Sequence, residues 1–147
     1  MSLNETNQIV EKLFPFVEKF IKEELDQTLL LDDVKDTAPC ISFVTGDSRK
    51  FNFNVVDGYD GEFNFTIYYK VKNKDTKERL QATKTLNYIG VFFDEATQKG
   101  ILPYLSDKDK AVRLEMVSNP TLNTREENGN IVYSAEYTFI YRHANKY

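Results

Sequence analysis

The sequence predicts one α+β domain over residues 1–147, with a mainly antiparallel sheet of four to five strands and two helices packed on one face. Two patterns carry this prediction. Apolar residues recur at helical spacing near the N-terminus and over residues 75–99, and they alternate with period two in three other segments. The order is α-β-β-(β)-α-β-β, which is typical of helices segregated on one side of a sheet.

The N-terminal helix is amphipathic and is expected to begin near a cap at Thr6 or Asn7. Its apolar positions follow i, i+3, i+4, i+7 spacing at Val10, Leu13, Phe14, Val17, Phe20, Ile21 and Leu25. Pro15 removes one backbone donor and crowds the carbonyl four residues back, so we expect a kink or a restart near Phe14. Residues 26–40 do not continue the helical spacing and are predicted to form a connector that ends near Pro39.

The next segments predict a β-hairpin. A short strand over residues 41–44 is followed by a turn over residues 46–48, and residues 51–55 then alternate with period two. Residues 57–61 are expected to form a glycine-rich loop. The second alternating run carries Phe63, Phe65, Ile67, Tyr69 and Val71. Two such runs around a glycine loop favour a hairpin.

The second helix is predicted over residues 75–99. Asp75 and Glu78 resemble a capping box, in which an acceptor at the cap is followed by glutamate three residues on. The positions at helical spacing are Leu80, Thr83, Leu86, Ile89, Gly90, Phe93 and Ala96. Gly100 ends the helix and Pro103 prevents its return. A strand over residues 112–116 follows.

The last strand carries an aromatic row on one face. Its members are Tyr133, Ala135, Tyr137, Phe139 and Tyr141, at every second position. We interpret the row as a sheet face buried under helices; the alternatives are an exposed platform that stacks bases or sugars and a subunit interface. An RNA-binding sheet places basic residues among exposed aromatics, and here only Arg142 flanks the row.

A long polar loop is predicted over residues 118–130, ending in an Asn-Gly turn. It is long for a hairpin connection, and such loops are usually functional or disordered. We therefore predict it to be a contact element for assembly. The candidate residues are Ser118, Pro120, Asn123, Arg125, Glu126, Asn128 and Gly129.

Composition excludes several classes of function. Residues 1–36 hold 4 Lys/Arg and 9 Asp/Glu, and the whole chain has a net charge of −4, which argues against a general nucleic-acid binder. A single cysteine excludes an internal disulfide and a cysteine-based zinc site. No apolar run is long enough to span a membrane, and no signal peptide is expected, so we expect folding in a cytoplasm.

Single residues suggest no catalytic, metal or cofactor site. His143 has no partner near it in the sequence and is interpreted as a surface residue. Cys40 lacks a base and is interpreted as structural. Asp57, Asp60 and Glu62 do not match the spacing of a calcium loop. The basic segment over residues 70–79 could place a phosphate at a helix N-terminus. We favour a solvated connection between strand and helix, because the segment has no glycine-rich loop.

Residues 112–142, VRLEMVSNPTLNTREENGNIVYSAEYTFIYR, resemble the closing segment of phage minor capsid proteins of the tail-terminator type. In that family a strand ends in a Ser/Thr-x-Pro turn, a charged loop follows, and an aromatic strand ends in a Tyr-basic pair. The matching residues are Glu115, Ser118, Pro120, Arg125, Gly129, Tyr133, Phe139, Tyr141 and Arg142. Upstream, GEFNFTIYYKV and the Leu86 to Gly90 helix with Phe92 and Phe93 also fit.

The resemblance implies a tail-terminator-like fold and a virion protein that is not an enzyme. It implies a ring of identical subunits, commonly six, at the junction of head and tail, made in the cytoplasm of the bacterial host. The implied partners are the major tail tube protein and a head-completion protein, without specific nucleic acid, membrane or cofactor. The alternative from another class is a non-enzymatic domain that binds a ligand or nucleic acid through the aromatic row.

Overall fold

The computed structural model describes residues 3–35, 37–54, 58–72 and 76–144, with the backbone alone for residues 3–7 and 54. The elements are α1 (Leu3–Leu25), β1 (Leu29–Leu31), β2 (Cys40–Asn54), β3 (Gly58–Lys72), α2 (Thr76–Lys99), β4 (Asp109–Met116), β5 (Thr121–Arg125) and β6 (Asn130–Ala144). The strand order is β1-β2-β3-β6-β4, and β5 also pairs with β6. The α+β class is confirmed, but the described sheet has six strands instead of four to five.

The sheet is built around β3 and β6, which pair antiparallel from Gly58↔Ala144 to Lys72↔Asn130. Side chains directly opposite each other share a face, so the odd-numbered residues of both strands point to the same side. That side carries Phe63, Phe65, Ile67, Ile131, Ala135, Tyr137, Phe139 and Tyr141, and all of them are buried. The remaining pairs are antiparallel, except that β1 runs parallel to β2.

Both helices cover this aromatic face. The Phe93 ring of α2 packs over both central strands, 6.1 Å from the ring of Phe65 in β3 and 5.2 Å from that of Tyr137 in β6. Phe14 of α1 meets Phe43 of β2 edge to face. The buried Tyr137 hydroxyl donates to the Leu86 carbonyl at 2.8 Å. The core interpretation of the aromatic row is confirmed, because side chains buried under helices cannot stack a ligand.

Several local predictions for the strands are wrong. The connector over residues 26–40 contains β1, which pairs with residues 41–43. Residues 46–48 do not turn the chain, since β2 runs through them with a bulge between Thr45 and Ser48. Gly58–Gly61 belong to β3, so the predicted loop is shorter, and Asp57 lies outside the described residues. In each case pairing with a neighbouring strand overrides a local turn signal.

The helix ends also differ in part from the predictions. α1 begins at Leu3, so Thr6 and Asn7 lie inside it rather than at its cap, and it runs through Pro15 without a restart. Asp75 of the predicted capping box lies outside the described residues. Gly100 ends α2 as predicted. It adopts a φ of 70°, and the following N–H of Ile101 returns to the Ala96 carbonyl.

Gly61→Ala should destabilise the fold by about 1–3 kcal/mol, which is typical of overpacking. A Cβ at Gly61 would lie 2.1 Å from Cζ of Tyr141, whose ring is buried directly opposite. Urea unfolding measures the loss. In a Tyr141→Leu background the same substitution should cost clearly less, because the obstructing ring is gone; equal costs in both backgrounds would contradict this contact.

Candidate assembly surface

β4 and β5 form one interrupted edge of the sheet. β4 pairs with residues 137–143 of β6 and β5 pairs with residues 131–134, so both lie along the side of β6 opposite β3. Between them, the N–H groups of Val117 and Ser118 donate to the Glu136 carbonyl at 2.8 and 3.3 Å. The Ser118 hydroxyl accepts from the Glu136 N–H at 3.0 Å. The turn at Ser118 and half-buried Pro120 therefore breaks the edge strand while holding it against β6.

The predicted long loop is wrong in form, because residues 121–125 are strand β5. All five side chains of β5 are exposed, including Leu122 and Arg125. Asn123 is the extra residue of a bulge between Leu122 and Thr124, and its side-chain oxygen accepts from the Thr124 hydroxyl at 2.7 Å. Among the described strands β5 pairs only with β6, so its outer edge can pair with another chain.

A tight turn joins β5 to β6. The Gly129 N–H donates to the Glu126 carbonyl at 3.0 Å, and the Glu126 N–H donates to the Asn130 carbonyl at 2.8 Å. The Asn128 side-chain oxygen accepts from the Asn130 N–H at 3.0 Å, and Gly129 has a φ of 90°. The Asn-Gly turn is thus confirmed, and it closes the hairpin within four residues.

A buried lysine ties this turn to the rest of the domain. Lys70 is 2% exposed, and its Nζ lies 2.9 Å from Oε2 of Glu126. The same Nζ donates to the Lys35 carbonyl at 2.5 Å, in the connector before β2. Lys70 is therefore not available to a phosphate, and at this position the favoured interpretation of residues 70–79 as a solvated connection is wrong, because Lys70 is buried. The only signal in the sequence was a lysine inside an alternating strand, between Tyr69 and Val71.

Charged pairs gather at the opposite end of the sheet. Asp60 accepts from Arg142 at 2.8 Å and from Asn52 at 3.0 Å. The bond from Arg142 lowers the pKa of Asp60 below its ordinary value, against the raising effect of burial. Likewise, a hydrogen bond from Arg49 lowers the pKa of Glu62. Because Asp60 and Glu62 are engaged by arginines, they do not form a calcium loop.

His143 is not a simple surface residue. It is half-buried, its Nδ1 lies 2.6 Å from Oδ1 of Asp109, and its ring stacks on Tyr59 at 4.8 Å. Asp109 is 34 positions away in the chain, which is why no sequence pattern reveals the pair. Cys40 is the first residue of β2, where it is buried opposite Lys70 of β3, whereas His143 pairs with Tyr59 at the other end of β3. Cys40 and His143 therefore do not form a nucleophile and base. Within the described residues no group of His, Cys, Asp and Glu could hold a metal ion.

Membrane insertion through a helix has no support in the described part of the chain, where neither α1 nor α2 is both long enough and apolar enough to cross a bilayer.

Asp60→Asn should lower stability at neutral pH and make stability less dependent on pH in acid. The folded-state pKa of Asp60 lies below its ordinary value of 3.8, so its ion pair stabilises the fold above that value and is lost as the pH falls through the lower one. The difference in unfolding free energy between the two chains should therefore shrink in acid. Denaturation at a series of pH values tests this, with the exposed Asp47→Asn as control; a constant difference would contradict it.

Lys70→Met should destabilise the fold by about 2–3 kcal/mol, because it leaves the partly buried Glu126 carboxylate without its cation. One oxygen of that carboxylate, Oε1, is already buried without a hydrogen bond. The double variant Lys70→Met with Glu126→Leu removes both charges and should regain at least half of the loss. Urea unfolding measures both chains. A double variant no more stable than the single one would show that the ion pair is not the cause.

Comparisons with known proteins locate the fold but not a family. No protein-family model matches the chain, and no curated protein matches it. Among solved structures 34 chains match. One is a chain from the virion of a native gene transfer agent particle, with a TM-score of 0.61, 10% sequence identity, and coverage of 98% of this chain and 100% of that chain. At this identity the match establishes that the two chains share a fold from end to end.

Proposed function

We propose that this chain is a structural protein of a phage or prophage virion, and within that class a tail-terminator or minor capsid subunit. The observation that carries the proposal is the fold shared over the full length of both chains with a protein of a gene transfer agent virion. The resemblance of residues 61–142 to the tail-terminator family adds independent support, since it rests on turn and aromatic positions rather than on the fold.

The proposed role is a ring of identical subunits, commonly six, at the head-proximal end of the tail tube. A ring needs two dissimilar patches that meet head to tail. The β4–β5 edge supplies one. On the other side of the sheet β1 covers only residues 41–43 of β2, and the Asp32 carboxylate accepts from the Thr45 N–H at 2.7 Å. Beyond residue 45, β2 therefore supplies a second open edge in the described part of the chain. Strand pairing between such edges would join neighbouring subunits.

The proposed partners are the major tail tube protein on one side of the ring and a head-completion protein on the other. This role requires contact surfaces and no reaction, so we assign no catalytic residue. We also drop the alternative of a ligand-binding aromatic sheet, because Tyr137 and Phe139 are fully buried.

Deleting the gene from its phage or prophage should yield tail tubes of unregulated length and heads without tails, seen by negative-stain electron microscopy. Complementation with the unaltered chain should restore particles. Leu122→Lys with Thr124→Lys places two charges on the exposed β5 edge and should fail to complement. The matched control, Gln8→Lys with Gln98→Lys, adds the same charge at exposed helix positions and should complement.

Two results separate the parts of this proposal. Normal tails joined to heads in the deletion strain would refute the virion role. Normal particles from the Leu122 and Thr124 variant would refute only the assignment of the β5 edge as a contact. Circular dichroism of each purified variant confirms that a failure to complement does not come from unfolding.

A further inference from the structure

The outer face of α2 carries an apolar stripe that the core does not use. Leu80 is 53% exposed, Tyr88 is 45% exposed and Val91 is 50% exposed. The buried side of the same helix is formed by Ala82, Leu86, Ile89, Phe93 and Ala96. At 3.6 residues per turn the three exposed residues lie on one side, within about 80° of one another and opposite the core.

Charges of opposite sign occupy the two halves of this stripe. Lys77 and Lys84 are exposed beside Leu80 in the first half, and Asp94 and Glu95 are exposed beside Val91 in the second half. The positions 77, 80, 84, 88, 91 and 95 are separated by three, four, four, three and four residues, which keeps them on one side of the helix, close to the spacing of a contact seam between paired helices. The stripe is therefore basic toward the N-terminus of α2 and acidic toward its C-terminus.

Beside the acidic half of the stripe, α1 and α2 together form a groove. The groove has a volume of about 350 Å³ and is lined at its base by Phe16, Phe20 and Phe92. The Phe20 and Phe92 rings stack at 3.7 Å. The rim adds the carboxylates of Glu23 and Glu24, and the Tyr88 hydroxyl lies 3.5 Å from Oε2 of Glu24. The groove thus offers an apolar floor bordered by three carboxylates, those of Glu23, Glu24 and Glu95, and by one lysine, Lys19. The net charge of this border is negative, which suits an apolar side chain flanked by lysines.

We propose that this surface binds a second copy of the same chain, with the two α2 helices packed antiparallel about a two-fold axis. In this register Leu80 lies opposite Val91 of the other copy. Lys84 then lies opposite Asn87 of the other copy, next to its Tyr88 and Glu24. Lys77 lies opposite Asp94 of the other copy, next to its Glu95. Each contact occurs twice, as a two-fold interface requires. A single register therefore places the apolar residues in contact with each other and the lysines next to carboxylates.

The charges also exclude the other simple arrangement. In a parallel pair Lys77 would face Lys77 and Asp94 would face Asp94, and like charges at close range are repulsive. Antiparallel packing further sets the positive end of each helix dipole beside the negative end of the other. The contact uses neither the β4–β5 edge nor the β2 edge, so it goes beyond the virion role proposed above and does not depend on it.

Charge reversal on the full-length chain tests the proposal by sedimentation velocity in low salt. The unaltered chain should form a dimer that weakens as salt rises. Lys77→Glu with Lys84→Glu makes the stripe wholly acidic, and Asp94→Lys with Glu95→Lys makes it wholly basic. Each variant should raise the dissociation constant of its own dimer by at least about tenfold. An equimolar mixture of the two should form a heterodimer, and the chain carrying all four reversals should dimerise again.

Site-specific cross-linking tests the register. In a Cys40→Ser background, Asn87→Cys should form an intermolecular disulfide under mild oxidation, because residue 87 lies close to the two-fold axis. Gln98→Cys is the control, since two such positions would be roughly 37 Å apart along the helix axes. Cross-linking that is equal at both positions would overturn the antiparallel register.

Replacing exposed apolar residues with aspartate distinguishes the α2 stripe from other surfaces. Leu80→Asp with Val91→Asp should leave the chain monomeric, whereas Ile101→Asp with Val117→Asp, at residues that are 55% and 53% exposed, should leave the dimer intact. A chain that is monomeric without substitution, a dimer that survives the first pair, or a mixture of the acidic and basic variants that stays monomeric would each overturn the proposal.

Discussion

The structure depends on the antiparallel pairing of β3 with β6. Its register is unbroken over all 15 residues of each strand, so every side chain of one strand has a fixed neighbour on the other. A slip by one residue would turn the aromatic row of β6 away from that of β3. Because the register holds, one face of the sheet is apolar enough to bury beneath two helices, and the other keeps Glu62, Arg113 and Glu136 toward solvent.

The same pairing determines where another chain can bind. β3 occupies one side of β6, so β4 and β5 must share the other side, one after the other. The Ser118 turn allows this by passing from β4 to β5 without leaving β6. The accessible edge strand is β5, whose side chains are all exposed. The turn that follows β5 is bound to β3 through the Lys70–Glu126 ion pair. The edge is thus held at one end by the Ser118 hydrogen bonds and at the other by the Lys70–Glu126 ion pair, and the outer side of β5 between them is unpaired in the described part of the chain.

Short-range patterns predict much of this fold. The alternation at Phe63–Val71 and Tyr133–Tyr141 is visible because each strand buries one face, and the spacing of α2 is visible because it buries one stripe. β1 has only three residues and pairs in parallel with distant positions, so no local pattern marks it. The bulge at Gly46 resembles a turn until β3 pairs across it. Asp109 and His143 meet because they are partners in the register of β4 and β6, and Lys70 meets Glu126 because the β5–β6 turn lies beside β3. An alternating pattern does not indicate which distant residues meet.

The two proposed contact surfaces differ in physical character, and this difference separates their roles. Pairing at the β5 edge uses backbone hydrogen bonds, which are directional and depend weakly on salt. The α2 stripe uses a few half-exposed apolar side chains with lysines and carboxylates at the border, an arrangement that salt weakens. Since the helix contact leaves both sheet edges open, a dimer formed through α2 can still present its β5 edges. The α2 contact is thereby suited to reversible association of free subunits, and the edge contact to lasting incorporation into an assembly.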